Sequence, residues 1–303
     1  MWWNNQDFFQ FTDEQWERVE PLLPSNEGRK GRSFADGGRV VEGIIYRYRT
    51  GIPWRDLPSE FGPWQTVWKR HRRYAVDGTW DRVFAQILGE TDGDGGFDWN
   101  VSIDATINRA HQHGTNIPRP DQDAGALSNY KNLPICEVEP AGHGIGRSRG
   151  GLSTKMHFAV NGNGRPLSIV VTGGQRHDGA MLQEVLGDIR VPRLGPGAPR
   201  TRPSMVLADR GYTSKGNRAY LRLRGIGAVI REKSNEIATR KRKGRAGGRP
   251  PEFDRATYRN RNVVERAFGL LKQWRGIATR YDTLAVTYRA GVDIAAILTW
   301  VCI

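Results

Sequence analysis

The hydrophobic period of this chain changes once along its length, and the change divides it into two unlike parts. Up to about residue 90 apolar residues recur three and four apart, as in amphipathic helices; beyond residue 100 they alternate or run on continuously, as in strands. In the first part Thr12 and Gln15 form a capping box ahead of Trp16, Val19 and Leu22, and Pro24 closes that helix. A second helix is expected from about Gly37 to Tyr48, with Val41, Ile44, Ile45 and Tyr48 on one face, Arg39, Arg47 and Arg49 toward solvent, and Gly51 after its end. A third runs from about Gln65 to Val76, and a short fourth passes through Val83, Phe84 and Ile87. Gly89 to Gly96 reads as a linker by composition. Residues 1–92 are therefore expected as a small all-α domain and 97–303 as a second domain.

The second part opens with Val101, Ile103, Ala105 and Ile107 alternating with Ser102, Asp104 and Thr106, a half-buried strand with Asp104 on its polar face. Residues 108–152, rich in Gly and Arg, are longer than an ordinary connection and are expected as an insertion loop. Strands resume at Lys155 to Val160 and Leu167 to Val171, across the hairpin signal Asn161-Gly162-Asn163-Gly164. Met181 to Ile189 reads as helix, Met205 to Ala208 as a buried strand, and Ser214 caps a helix through Leu223. Ala228 to Ile230 is a further strand, and helices over about 256–274 and 287–300 close the chain. A strand, a hairpin, then alternating helices and strands match the ribonuclease H-like fold. That fold class is α/β, with a mixed five-stranded sheet flanked by helices, usually in the order 3-2-1-4-5. Residues 231–252 form a basic loop around Arg240-Lys241-Arg242-Lys243: a solvated disordered loop, a phosphate clamp, or both.

Charge narrows the partner. Of 303 residues, 46 are Lys or Arg against 32 Asp or Glu, a formal net charge of +14. Such a surplus favours a polyanion, because each phosphate neutralised releases condensed counterions. The plain alternative is a basic protein with no nucleic-acid role. The third helix carries Lys69, Arg70, His71, Arg72 and Arg73, so the helical part has two readings: a helix-turn-helix-like DNA reader, or a cap whose arginine face is simply solvated. A hydrophobic content of 38% is too high for a disordered chain. No run reaches the roughly 20 apolar residues of a bilayer span, so no membrane partner is expected. Two cysteines, Cys136 and Cys302, make neither a disulfide framework nor a thiolate zinc site, and a cytoplasmic, nucleoid-associated protein fits.

Three carboxylates carry the candidate chemistry. Metal-assisted phosphoryl transfer needs hard oxygen ligands on rigid elements, held so that two ions clamp the attacking and leaving oxygens. Asp104 lies mid-strand, and Asp209 ends an apolar strand, where sites collect in open α/β sheets. Either one alone reads equally as a turn former or cap. On the helix that follows, steps of roughly 100° per residue place Tyr258, Arg261, Glu265 and Lys272 on one stripe, with Val264, Ala267, Phe268 and Leu271 turned inward. A simple Arg261–Glu265 surface pair is the structural alternative.

The spacing Tyr258-x2-Arg261-x3-Glu265-x6-Lys272 resembles the Tyr-Arg-Glu-Lys signature of bacterial DDE transposases of the insertion-sequence four and five groups. Ile103-Asp104-Ala105-Thr106, Gly146-Arg147-Ser148-Arg149-Gly150-Gly151, Leu207-Ala208-Asp209-Arg210-Gly211-Tyr212 and Gly51-Ile52-Pro53-Trp54-Arg55-Asp56-Leu57-Pro58 resemble other blocks of the fifth family, and the similarity runs from about Trp16 to Trp300. The resemblance implies a transposase that binds terminal inverted repeats, cleaves DNA ends and joins the 3′-OH to target DNA. It implies a triad of Asp104, Asp209 and Glu265 as catalytic and metal-binding residues. Two Mg²⁺ ions are expected, replaceable by Mn²⁺. Tyr258, Arg261 and Lys272 would hold phosphates, while Arg147, Arg149 and Lys155 would track the DNA backbone. His177 stands as a possible neighbour of the site, although a structural His beside a capping Asp178 explains it as well. Partners would be double-stranded DNA and a second copy of the chain, as a homodimer or larger assembly. A non-catalytic transposase-derived DNA binder, or a nuclease that cuts without joining, remain the alternatives. Asn116 to Val138 fits no part of the pattern.

Overall fold

A computed structural model of the chain describes residues 11–25, 36–93, 95–115 and 143–301; Asn116 to Val138, Cys136 and Cys302 lie outside the described residues. Helices α1 (Asp13–Val19), α2 (Gly37–Thr50), α3 (Trp64–Val76) and α4 (Thr79–Gly93) come first. The expected capping box is formed, with Thr12 Oγ1 accepting from Gln15 N–H and the Gln15 side chain accepting from Thr12 N–H. Next come β1 (Asn100–Ala110), β2 (Gly146–Ser148), β3 (Gly151–Val160) and β4 (Pro166–Gly173). They are followed by α5 (Leu182–Asp188), β5 (Met205–Ala208), α6 (Lys215–Leu223) and β6 (Gly227–Ile230). The chain closes with α7 (Ser234–Arg242), α8 (Arg255–Tyr258), α9 (Asn262–Leu271), α10 (Arg275–Ala278), β7 (Thr279–Arg280) and α11 (Ala285–Val301).

The strands form one mixed sheet. β1 lies antiparallel to β3, which lies antiparallel to β4, and β1, β5 and β6 run parallel, giving β4-β3-β1-β5-β6. Among the described residues the sheet has seven strands rather than five, because β2 adds to β3 and β7 adds to β1. Both extra strands are too short, at three and two residues, to show a period in the sequence.

Other expectations change for physical reasons. The linker expected at Gly89 to Gly96 is mostly helix, since α4 runs to Gly93. The glycines within α4 serve contact rather than flexibility: a Cβ at Gly89 would sit 2.9 Å from the Pro192 carbonyl oxygen, so a side chain there would push the segment off the helix. The loop expected over 108–152 is strand at both ends. The basic stretch 231–252 contains α7, anchored by an Arg240–Glu232 ion pair at 2.7 Å and by Glu236, which accepts from Thr213 Oγ1 and from the Lys233 backbone. The long helix expected over 256–274 is broken into α8, a 3₁₀ turn at Arg259–Arg261, and α9.

Strand β1 is buried on both faces over Val101 to Ile103, and farther along it is the expected polar side that is the more covered. Ser102 and Asn108, on its polar side, are 1% exposed, whereas Ile107 on its apolar side is 43% exposed. Asn108 Nδ2 donates to the Ile277 carbonyl at 2.9 Å and to Tyr288 Oη at 2.7 Å, so the polar side chains of this face bind the C-terminal helices.

The helical region and the sheet region share one core. Helix α11 packs on α2, α3 and α4 as well as on β4. Arg47 and Arg49, expected to face solvent, turn inward. Arg47 is buried against Asp282 at 3.1 Å, and the Arg49 guanidinium lies 5.2 Å from the Trp274 ring centroid. Tyr48 Oη lies within hydrogen-bonding distance of the Thr287 carbonyl at 3.1 Å, Asp282 Oδ2 at 3.2 Å and His71 Nε2 at 2.9 Å, sharing its one proton among them. The helical period located the helices, but the arginines follow the interface that α2 meets.

Candidate active site

Register brings the two aspartates together. Ile103 on β1 pairs with Ala208 on the parallel strand β5, so Asp104 and Asp209, one residue on, leave neighbouring strands about 4.8 Å apart. Asp209 Oδ1 accepts from Gly211 N–H at 2.7 Å, which fixes the turn after β5; no described residue donates to its Oδ2. Asp104 Oδ1 accepts from Ala105 N–H at 2.9 Å.

The third carboxylate arrives from α9. Phe158 lies opposite Asp104 in the β1–β3 ladder, and Phe268 of α9 packs edge-on against Phe158 with ring centroids 5.3 Å apart. Glu265 stands three residues before Phe268, one helical turn nearer the carboxyl end of β5. Of the inward face expected of this helix, Val264, Phe268 and Leu271 are buried and Ala267 is partly buried. Arg261, in the 3₁₀ turn that leads into α9, donates from Nη1 to Asp104 Oδ2 at 2.8 Å and from Nη2 to Glu265 Oε1. One guanidinium thus bridges a strand carboxylate and a helix carboxylate.

The other members of the stripe lie close by. The Arg261 guanidinium is 5.9 Å from the Tyr258 ring centroid, and Tyr258 packs against Phe253 at 5.1 Å. Lys272 Nζ reaches the Ile107 carbonyl at 3.5 Å. Because the chain passes through a 3₁₀ turn between Tyr258 and α9, the stripe is not one regular helix face.

Burial and charge compete at Asp104. Burial raises its pKa above the ordinary aspartate value, and the Asp209 charge adds to that; the Ala105 N–H and Arg261 oppose it but do not prevail. Burial lowers the Arg261 pKa, yet the charge and hydrogen bond of Asp104 more than offset this and the net shift is upward. Burial also lowers the Lys272 pKa.

Tyr212 is a part of the site that the sequence did not single out. Its ring is 1% exposed, and its pKa is raised by burial first and then by Asp104, Asp178 and Asp209. The only signal was its place in Asp209-Arg210-Gly211-Tyr212. Its turn is tied to the one carrying Asp178 by Asn217, whose Nδ2 donates to the carbonyls of Gly179 at 2.7 Å and Tyr212 at 3.1 Å.

The other residues expected to contact DNA differ in their exposure. Lys155, expected to track the DNA backbone, is buried at 8% exposed, and its Nζ donates to Asp178 Oδ1 at 2.9 Å and to the Arg176 carbonyl at 2.7 Å. Asp178 is correspondingly a partner of Lys155 and not a helix cap. His177 is exposed beside it. Arg147 on β2 and Arg149 in the turn that leads to β3 are exposed. On α3, Lys69, Arg72 and Arg73 are exposed and Arg70 half-buried, with Arg73 3.7 Å from Asp77 and Arg70 hydrogen-bonded to Tyr74 Oη. His71, between them in sequence, is fully buried.

Residues 95–300 match the family described as "Transposase DDE domain", and residues 11–84 match "Putative transposase of IS4/5 family". "Uncharacterized protein y4sN" of Sinorhizobium fredii is 32% identical over 107 residues, 35% of this chain and 82% of that one. "Insertion element IS402 uncharacterized 16.2 kDa protein" of Burkholderia cepacia is 37% identical over 84 residues, 26% of this chain and 57% of that one. "Putative transposase for insertion sequence element IS402", also of Burkholderia cepacia, is 31% identical over 145 residues, 48% of this chain and 61% of that one. The chain therefore spans less than two thirds of either IS402 protein. No solved structure matches the chain. The DDE-domain match covers more than half of its length, from β1 through α11, and the chain belongs to the DDE-domain family of insertion-sequence transposases of the IS4/IS5 type.

Proposed function

We propose that the chain cleaves the ends of an insertion sequence and joins them to target DNA, with Asp104, Asp209 and Glu265 as its metal-binding triad. The observation that carries this reading is the Arg261 bridge: carboxylates from β1 and α9 converge on a single positive charge beside the Asp209 turn. DDE transposase domains use divalent metal ions, and the donor set here suits Mg²⁺ or Mn²⁺, since all three ligands are hard carboxylate oxygens on strands and a helix. Among the described residues no three acidic, His or Cys side chains stand close enough together to hold an ion. Metal binding therefore requires Glu265, whose side chain is 58% exposed, to leave Arg261 and turn toward the aspartates.

Bound divalent ions would polarise the scissile phosphate and favour deprotonation of the attacking water or 3′-OH. The chain's own groups act around that centre. Arg261, released from Glu265, can pass a guanidinium to a phosphate oxygen, with Lys272 and Tyr258 beside it. Arg147 and Arg149 would follow the DNA backbone, and Lys69, Arg70, Arg72 and Arg73 of α3 would bind the terminal repeats. Joining two ends requires two active sites in one complex, so a dimer or larger assembly acts. No described helix is long and apolar enough to cross a membrane.

Glu265→Gln tests the triad. In Mg²⁺, cleavage of DNA carrying the element's ends should fall at least about 100-fold, while binding of the same DNA in EDTA is retained. Cleavage at the wild-type rate would remove Glu265 from the site.

A further inference from the structure

The seam between the helical and sheet regions holds a second feature, away from the carboxylates. Trp54, Trp68 and Tyr281 surround a cavity of about 250 Å³, with Arg72 on its wall and the Arg47–Asp282 pair in its lining. The volume is below the roughly 300 Å³ at which pockets for drug-sized ligands begin. It suits one flat ring system.

The chemistry of the walls is consistent with a ring. All three aromatic residues are half-buried, so each keeps surface open to the cavity. The Arg72 guanidinium lies 5.6 Å from the Trp68 ring centroid, and the Arg47 guanidinium 5.0 Å from that of Trp54 and 5.9 Å from that of Tyr281. Aromatic faces with interleaved guanidinium groups are how proteins hold unpaired bases, because every base has a π-face and a phosphate attached to it. The lining also has a polar edge. Asp282 is 7% exposed and commits Oδ2 to Arg47 and Tyr48 Oη, while no described residue donates to its Oδ1. A carboxylate oxygen in that state can accept from the exocyclic amine of a base.

The cavity is also connected to the site by one strand. Tyr281 packs at a tilt against His111, with ring centroids 4.8 Å apart, and His111 directly follows β1, the strand that carries Asp104. The six steps along β1 from Asp104 to Ala110 span about 20 Å, or about six base pairs of B-form DNA.

We propose that this cavity is a binding site for a single unpaired DNA base, held some 20 Å from the reacting phosphate as gauged by the length of β1. The proposal rests on the chain acting on DNA as set out above. It adds a site that reads exposure of a base instead of duplex charge.

The probe is a single-stranded 12-nucleotide DNA carrying one 2-aminopurine, compared with a blunt duplex of the same sequence, in EDTA so that no cleavage contributes. Trp68→Leu and Trp54→Leu should each weaken the single strand by about 5- to 150-fold, the loss expected for one stacked base, and abolish the 2-aminopurine quench. Duplex affinity and its salt dependence should stay unchanged, since no charge is altered. Thermal melting of both variants checks folding, and Trp68, the more peripheral wall, serves if Trp54→Leu melts early. Photocrosslinking with a 5-iodouracil strand should label Trp54, Trp68 or Tyr281. Equal loss of single-strand and duplex binding, crosslinks elsewhere, or competition by free dAMP at the oligonucleotide's own affinity would each overturn the proposal. The Glu265→Gln cleavage assay is independent: its failure with the tryptophan effects intact would leave a base-binding protein that does not transpose by the triad.

Discussion

The Arg47–Asp282 pair offers the most quantitative trial of how the chain is held together. It joins α2 to the segment before α11 with both side chains nearly sealed, 3% and 5% exposed, at 3.1 Å. Removing one member of such a pair strands the other charge, at a cost of about 3–5 kcal/mol. Arg47→Met also loses the guanidinium 4.5 Å from the Tyr48 ring centroid, a further ~1 kcal/mol, so it should lie near the upper end. Asp282→Asn should lie near the lower end, because the amide oxygen can still accept from Tyr48 Oη. The double variant removes both charges and should be less destabilised than either single one, giving a coupling of at least about 2 kcal/mol. Urea unfolding followed by circular dichroism and by tryptophan fluorescence measures this. The two probes should also give one midpoint in the wild type, since helices and sheet share a core. Single variants within about 0.5 kcal/mol of wild type, or two separate transitions, would refute the reasoning.

Other expectations follow from the same helix. Asp293 of α11 is buried, and burial, opposed by Arg289 and reinforced by Asp81 and Asp188, pushes its pKa up to about 8. Unfolded, it would titrate near 3.9, so its contribution is fully present below about pH 4 and is lost as pH rises toward 8, by up to about 1.4 kcal/mol per unit. Asp293→Asn should remove that slope and overtake the wild type above neutrality in urea midpoints at pH 5, 7 and 9; parallel curves would count against a protonated Asp293. Gly291→Ala should cost about 1–3 kcal/mol, because the new Cβ would fall 2.3 Å from the Tyr48 ring; an unchanged melting temperature would mean that α11 sits farther from α2.

Much of this architecture was legible before any coordinates. Continuous apolar runs and caps gave β5 and α6 to the residue, because Met205 to Ala208 has one possible environment and Ser214 one obvious job. What could not be read was anything that depends on a partner far along the chain. Arg47 and Lys155 look like any surface cation until Asp282 and Asp178 are seen beneath them. The glycines of α4 look like a linker until Pro192 is seen against Gly89. At the candidate site, the i, i+4 spacing of Arg261 and Glu265 was visible, but the link from Arg261 to Asp104 spans 157 residues and depends on α9 packing against the sheet, as Phe268 does on Phe158. Tyr212 carried no pattern of its own, since a tyrosine after a turn is ordinary and its significance comes from three carboxylates brought from separate elements.

Helix α11 closes the sheet and also completes the bed on which α2, α3 and α4 lie. A chimera that takes its first 92 residues from another transposase would set foreign helices against a native α11, with a side chain such as Tyr48 fitted to the gap at Gly291. Grafts that carry residues 275–301 along with the N-terminal helices should fold, whereas grafts cut at residue 92 should not. The helical and sheet regions of this protein would then be inherited together and could not be exchanged as separate cassettes.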